Sequence, residues 1–303
     1  MRELKRPCSA IGRRLGPWNE RGRCCIDMLR ELLDHQTVSL MSFVVCSADD
    51  TRFARIEREI HSKIALVQCE IVRIADASSL AEGYNRGYAR SRGEWVIFCH
   101  DDITFVNHDL TYRLLRSLPH CDVLGLCGTS RLVSGNWYDA GSPFISGAVV
   151  APSMSDAGGY ELQVFARRIP PLVADAQALD GIFIAARRRV VEALGGFNEH
   201  DFRDFVVYDI DFSFRAHLAG FRVGIATDIL VFYDSHVARF SPEKLRRWNE
   251  AQAIFVSNYR CHLAPDIQAP SGLLVFDVPT REDALALYET LPAIATLAHA
   301  TQG

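Results

Sequence analysis

Trp95-Val96-Ile97-Phe98-Cys99 is an unbroken run of β-forming apolar residues, entered through Gly93-Glu94 and ended by His100-Asp101-Asp102. A strand with no polar alternation must be covered on both faces, which points to a mostly parallel sheet inside an α/β protein. Ligands of such sheets bind in the crevice beyond the carboxyl ends of the strands. Two adjacent carboxylates there repel unless a cation lies between them, and a divalent metal carrying a phosphate is the usual partner. The alternative is that Asp101 and Asp102 only cap a following helix, into which Asn107 and Asp109 turn the chain.

The preceding sequence places this strand third in a repeat. Ser42–Cys46 is a first strand that breaks at the polar turn Ser47-Ala48-Asp49-Asp50. Apolar residues at Phe53, Ile56, Ile60 and Ile64 then recur at helical spacing. Ile71–Ile74 is a second strand, Leu80–Ser91 a second helix, and Trp95–Cys99 completes a βαβαβ unit of the kind that commonly binds a nucleotide. No G-x-G-x-x-G follows the first strand and no G-x-x-x-x-G-K-[ST] occurs anywhere. A nucleotide held here is therefore held by carboxylates and metal, not by a glycine cradle.

Composition narrows the class further. At 303 residues, 49% apolar and 23% charged, the chain can bury a sizeable core, and a net charge of −4 argues against a dedicated nucleic-acid binder. Nine cysteines form no C-x-x-C pair and read as reduced core thiols, in keeping with a cytoplasmic protein. Neither a membrane-length apolar run nor a signal-peptide core is expected, and peripheral contact with the inner face of a membrane stays compatible with the sequence. Residues 1–40 read as a partly ordered extension with one short helix, Cys25–Leu33. Met41 leaves open whether they belong to the native protein. Residues 41–240 form the main domain, and 241–303 a helical and irregular extension opened by the Ser241-Pro242 cap.

Beyond the third strand, Leu110–Leu118 reads as a helix and Val123–Cys127 as a strand. From Gly128 to Ala178 the pattern loosens into Gly, Ser, Pro and aromatics, either a small insertion or a lining for a binding site. Asp180–Ala186 is again a strand, followed by a helix from Arg187 to Leu194 that Gly195-Gly196 stops. Ile210, Phe214 and Leu218 then mark a helix starting at or near Asp209. Phe221–Ala226 and Ile229–Tyr233 are two further β-type runs, the second leading to Asp234-Ser235-His236.

The order of these segments resembles family 2 of the glycosyltransferases, inverting enzymes with a GT-A fold. The resemblance is carried by Gly93-Glu94, the strand and Asp101-Asp102, then Arg187-Arg188 and Gly195-Gly196-Phe197-Asn198-Glu199. It continues through Asp209-Ile210-Asp211-Phe212-Ser213-Phe214-Arg215, Gly220-Phe221-Arg222-Val223 and His236. It implies one GT-A-type domain with a mixed, mostly parallel central sheet flanked by helices, nucleotide-binding half first. It also implies a hexosyl- or deoxyhexosyltransferase of polysaccharide assembly that uses a UDP-, dTDP- or GDP-sugar and a glycan or lipid-linked acceptor. Asp102 matches the metal-binding position, and His100 and Asp101 lie nearer ribose and sugar. Asp49 and Asp76 match positions holding base and ribose, and Asn85 is grouped with these donor-binding residues. Asp209 matches the catalytic base, and His236 a histidine that completes a site for Mn²⁺ or Mg²⁺. Two positions depart from the pattern: His100 stands where Asp is usual, and Tyr208 where Glu commonly precedes the base.

The chemistry asks for the same residue types. A leaving nucleoside diphosphate concentrates negative charge that a divalent ion stabilises. A sugar hydroxyl needs a carboxylate within reach to accept its proton, and one such base gives a single displacement with inversion. Residue by residue, Asp209 can instead be a helix cap, Asp211 a partner of Arg215 four residues on, and His236 a structural group. Two other functions compete. A sugar nucleotidyltransferase lacks its glycine-rich, basic loop after Val45, whereas a catalytically silent nucleotide-sugar binding domain would keep the fold without turnover.

Overall fold

The computed structural model describes residues 40–65, 67–153, 158–234, 241–265 and 269–295, all within one compact unit. The helix expected at Cys25–Leu33 and the residue His236 lie outside the described residues.

The first half is the expected repeat: β1 (Met41–Cys46), α1 (Asp50–Lys63), β2 (Cys69–Ile74), α2 (Leu80–Arg90) and β3 (Trp95–Cys99). Each helix starts where its sequence supplies a side-chain acceptor for orphan amides. Asp49 accepts from the Thr51 and Arg52 amides at 2.7 and 2.9 Å, and Ser79 accepts from Glu82 N at 3.1 Å. Helix α2 lies hard against β1 because Gly87 has no side chain: a Cβ there would sit 2.1 Å from Val44 Cγ1. Every residue of β3 is buried, and each large apolar side chain so covered contributes about 1.5–3 kcal/mol.

After β3 the chain does not enter a helix at Asp101 and Asp102. It forms β4 (Ile103–Phe105), and α3 (Leu110–Ser117) begins only after Asp109, so the two aspartates cap nothing. Then come β5 (Val123–Gly125), β6 (Gly128–Thr129), β7 (Ile145–Pro152), β8 (Tyr160–Ala166), β9 (Arg168–Ile169), β10 (Leu172–Val173), β11 (Ala178–Leu179) and β12 (Phe183–Arg187). The last part holds α4 (Arg188–Leu194), α5 (Tyr208–Leu218), β13 (Val223–Ala226), β14 (Val231–Tyr233), α6 (Pro242–Tyr259), β15 (Leu274–Val278), α7 (Arg281–Thr290) and β16 (Ile294–Ala295).

The main sheet has the order β10-β13-β5-β12-β3-β1-β2. All of its strands except β10 and β12 run the same way, so the mixed, mostly parallel α/β sheet expected from the sequence is the one observed. A second sheet, β11-β6-β7-β14-β4, extends through β8 to β15. The stretch 128–178 that looked irregular supplies most of it. The segment after 241 is woven into the same unit: α6 begins at the Ser241 cap, and β15 pairs with β8 along five residues. Among the described residues no helix is long and apolar enough to cross a membrane.

The strand direction of β12 matters for function. Because it runs antiparallel to β3, with Phe183 opposite Cys99, its first residues meet the last residues of β3. His100 N donates to Ile182 O at 3.2 Å. The carboxyl ends of β1 and β3 and the amino end of β12 therefore lie together at one edge of the sheet, where a sheet of this kind carries its ligand crevice.

Candidate active site

The crevice is built from three carboxylate groups on different elements. At the end of β3, Asp101 is held by Ser47, whose hydroxyl donates to Oδ2 at 2.7 Å, and Arg52 stands 4.0 Å from Oδ1. Asp102 is treated differently. Its Oδ1 is buried and has no hydrogen-bond partner, the His100 ring nitrogen Nδ1 being 3.8 Å away, beyond hydrogen-bond range. Burial pushes the Asp102 carboxyl above its ordinary value, His100 opposes the shift, and the neighbouring Asp101 adds to it. A buried, orphaned carboxylate oxygen is costly unless a cation or donor meets it, so this residue fits a divalent ion. Among the described residues no three His, Cys, Asp or Glu side chains cluster to hold a metal alone.

The second group is Asp209, in the first turn of α5. Its carboxyl is pushed up from 3.8 to about 7, first by burial and next by the negative charge of Asp180, with the Ile210, Asp209 and Gly181 backbone amides pulling the other way. A carboxylate poised near neutrality suits a general base. Gly181 makes the approach of the two segments possible. A Cβ on it would lie 2.1 Å from Tyr208 Oη and 3.0 Å from Asp209 Cβ.

The third group is Asp180, just before β12. It accepts from Trp137 Nε1 at 3.0 Å and from Ile182 N at 3.0 Å. Trp137, one of the aromatics of the 128–178 stretch, is buried and packs edge-on against Phe165 at 4.9 Å.

The helix carrying Asp209 is anchored by the Gly-Gly-Phe-Asn-Glu segment. Gly195 caps α4 in the left-handed conformation, and Phe197 stacks on Phe212 at 4.3 Å. Arg215 donates to Leu194 O and Gly196 O, both at 2.9 Å. It also donates to Asp211 Oδ2 at 2.8 Å, and Tyr259 donates to Asp211 Oδ1 at 2.6 Å. Asp211 is thus the structural partner of Arg215 that the i,i+4 spacing indicated. Val207, immediately before α5, has φ 65°, a strained conformation for a β-branched residue.

One contact joins the halves. The His100 ring nitrogen Nε2 lies 2.9 Å from Tyr208 Oη, so the residue before the aspartate pair is tied to the residue before Asp209. These are the two positions at which the sequence departs from the glycosyltransferase pattern, and here they meet as a hydrogen-bonded pair.

A profile of the Glycosyltransferase like family matches residues 42–259, the span that contains every group just described. The chain belongs to this family. The resemblance read from the motifs is thereby borne out. No curated protein matches the chain. Among solved structures, this glycosyltransferase-family chain is similar to the mannosyltransferase PcManGT from Pyrobaculum calidifontis in complex with GDP-Man and Mn²⁺, at 12% identity over 88% of this chain and 77% of that one, with a TM-score of 0.45. It is similar to S. aureus TarS in complex with UDP-GlcNAc at 12% identity, 83% and 71% coverage and a TM-score of 0.45. A Drosophila galactosyltransferase mutant with manganese, UDP-Gal and xylobiose gives 14%, 61%, 64% and 0.38.

Of the residues singled out in this family member, His100, Asp101, Asp102 and Asp209 share the crevice. The remaining ones are engaged elsewhere or lie outside the description. Asp49 spends Oδ1 on capping α1. Asp76 is exposed and paired with Arg86 at 2.7 Å. Asn85 is consumed by the fold: it accepts from Phe197 N at 2.8 Å and donates to Phe197 O and Glu199 at 3.0 and 3.1 Å. His236 lies outside the described residues. Sequence reasoning missed Asp180, Gly181 and Ser47. The signal for Asp180 was an aspartate beside a glycine at the mouth of a buried strand, usable only once β12 is known to run backwards.

Proposed function

We propose that this protein transfers one hexosyl or deoxyhexosyl unit from a nucleoside-diphosphate donor to a hydroxyl of a glycan or lipid-linked acceptor by a single displacement with inversion. The observation that supports this reading is the His100–Tyr208 hydrogen bond of 2.9 Å, which ties the residue before the aspartate pair to the residue before the base candidate Asp209. Asp209, with its carboxyl raised to about 7, takes the proton of the attacking hydroxyl. Asp180 shapes that basicity. Asp101, steadied by Ser47, and His100 face the sugar and ribose, and Asp49 keeps one carboxylate oxygen for the donor's base. Asp102 would hold Mn²⁺ or Mg²⁺, with His236 completing the site. The ion supplies the positive charge that a leaving diphosphate requires.

Residues 41–240 are the catalytic domain in this reading, with 1–40 an N-terminal extension and 241–303 a C-terminal extension that packs into the same unit through α6 and β15. The setting is polysaccharide assembly in the cytoplasm, at or near the inner membrane face. Calorimetric titration with UDP-, dTDP- and GDP-sugars, with Mn²⁺ and with chelator, tests it. Metal-dependent binding of one donor class, lost in Asp102→Ala, supports the assignment and selects the nucleotide. Transfer that survives Asp209→Asn removes the base from it. Donor binding without turnover on any acceptor would favour a silent binding domain instead.

A further inference from the structure

Away from the crevice, a cavity of about 270 Å³ is lined by Arg113, Arg116, Arg167, Arg168, Asp228 and Glu289, with Ile169 at its side. None of these residues belongs to the candidate active site. Asp228 precedes β14, whose other end meets Asp102 through the Asp234 N to Asp102 O bond of 2.8 Å.

The charges in this cavity do not balance locally. Arg113 is fully engaged, donating to Asp109 at 2.7 Å, to Asp228 Oδ2 at 3.1 Å and to Glu289 at 3.4 Å. Arg116 reaches the same Asp228 oxygen at 2.5 Å. Among the described residues Arg167 donates to the Leu291 carbonyl at 2.8 Å and lies 6.0 Å over the Tyr288 ring, neither of them an anion. Arg168 is 6% exposed and donates to two neutral groups, Ser146 Oγ at 3.1 Å and Pro143 O at 2.5 Å. Among the described residues neither Arg167 nor Arg168 has a carboxylate partner. A buried guanidinium satisfied only by neutral acceptors retains a desolvated charge that an anion would answer. Asp228 Oδ1 is the converse case, buried with no hydrogen-bond partner, and calls for a donor.

We infer that this cavity is a binding site for a phosphate ester bearing a free hydroxyl: the phosphate lies between Arg167 and Arg168, and the hydroxyl donates to Asp228 Oδ1. Guanidinium forks match phosphate oxygens geometrically, and the carboxylate that Arg113 and Arg116 hold in place orients the alcohol end. The same chemistry is presented by a soluble glycerol phosphate and by a glycerophospholipid headgroup. Ile169, 60% exposed beside the cavity, would meet acyl chain in the second case.

The test is calorimetry of the full chain with sn-glycerol 3-phosphate in the presence of chelator, on the parent, Arg167→Gln, Arg168→Gln and Asp102→Ala. Saturable one-to-one binding is expected, weakened at least tenfold in Arg167→Gln and Arg168→Gln and unchanged in Asp102→Ala. Arg167 is half-buried and bonds a single carbonyl, so its variant reports even if the Arg168 variant does not fold. Absence of saturable binding, equal affinity in Arg167→Gln, or loss confined to Asp102→Ala overturns the assignment. Flotation with phosphatidylglycerol vesicles, against phosphatidylcholine alone, separates the sources. Co-flotation abolished by Arg167→Gln supports the cavity with the lipid as ligand, and binding of the free ester without co-flotation supports it with a soluble ligand.

Discussion

Replacing Asp209 by Asn should abolish sugar transfer and at the same time stabilise the fold, increasingly as pH rises from about 4 to about 7. In the folded chain the Asp209 carboxyl is raised from 3.8 to about 7 by burial and by Asp180. A raised carboxyl means that the folded state holds its proton more tightly than the unfolded state. The cost of ionising it is therefore absent below about pH 4, grows as pH rises from about 4 to about 7, and is constant above that. At about 1.36 kcal/mol per pH unit the full difference is about 4 kcal/mol. Asp209 keeps a part-exposed edge through which solvent screens the charge, so about 2–4 kcal/mol is the working range. Asparagine has nearly the same shape and cannot ionise. Denaturant unfolding of parent and variant at pH 4.5 and pH 8, both with chelator, should give a variant more stable by at most about 1 kcal/mol at the lower pH and by the full difference at the higher. The parent's transfer rate should rise with pH through about 7, as its base deprotonates. Equal or lower stability of Asp209→Asn at pH 8, or a difference that does not change with pH, would refute the claim that this carboxylate is strained by its surroundings.

Three further outcomes follow from named contacts. Gly181→Ala puts a methyl group 2.1 Å from Tyr208 Oη; it should lower kcat about 10–100-fold by displacing Asp209, with donor affinity in calorimetry little changed. The His100–Tyr208 bond should appear in a double-mutant cycle of His100→Phe and Tyr208→Phe as a coupling of about 1 kcal/mol in unfolding free energy; additive effects would show that the two positions are independent. Asp211→Ala removes the buried partner of Arg215 and Tyr259; it should cost about 3–5 kcal/mol, read from the denaturant midpoint.

Local signals explain what could be read in advance. The spacing of Phe53, Ile56 and Ile60, the Ser241-Pro242 cap and the apolar run from Trp95 to Cys99 each specify their element within a few residues of chain, and all recur in the structure. The stretch 128–178 was illegible because its order is not local. Strand β7 pairs with β8 through an irregularity between Gly147 and Ala148, and it also lies parallel to β14, some eighty residues later. Small residues such as Gly147, Ala148 and Ala151 have little β preference of their own. Asn85 had the right type for a ligand contact, and its commitment to the Phe197 backbone, more than a hundred residues away, could not be seen along the chain.

By itself the sequence determined the βαβαβ half, the burial of β3, the two aspartates that close it and the family to which they belong. These depend on periodicity, caps and motif order, which are properties of neighbouring residues. The tertiary structure alone decided which carboxylates lie together. Asp180 faces Asp209 because β12 runs antiparallel to β3, and His100 meets Tyr208 because α5 is pinned through Phe197 and Arg215. Strand direction and long-range packing are settled only when the whole core closes, and the raised Asp209 carboxyl is their product.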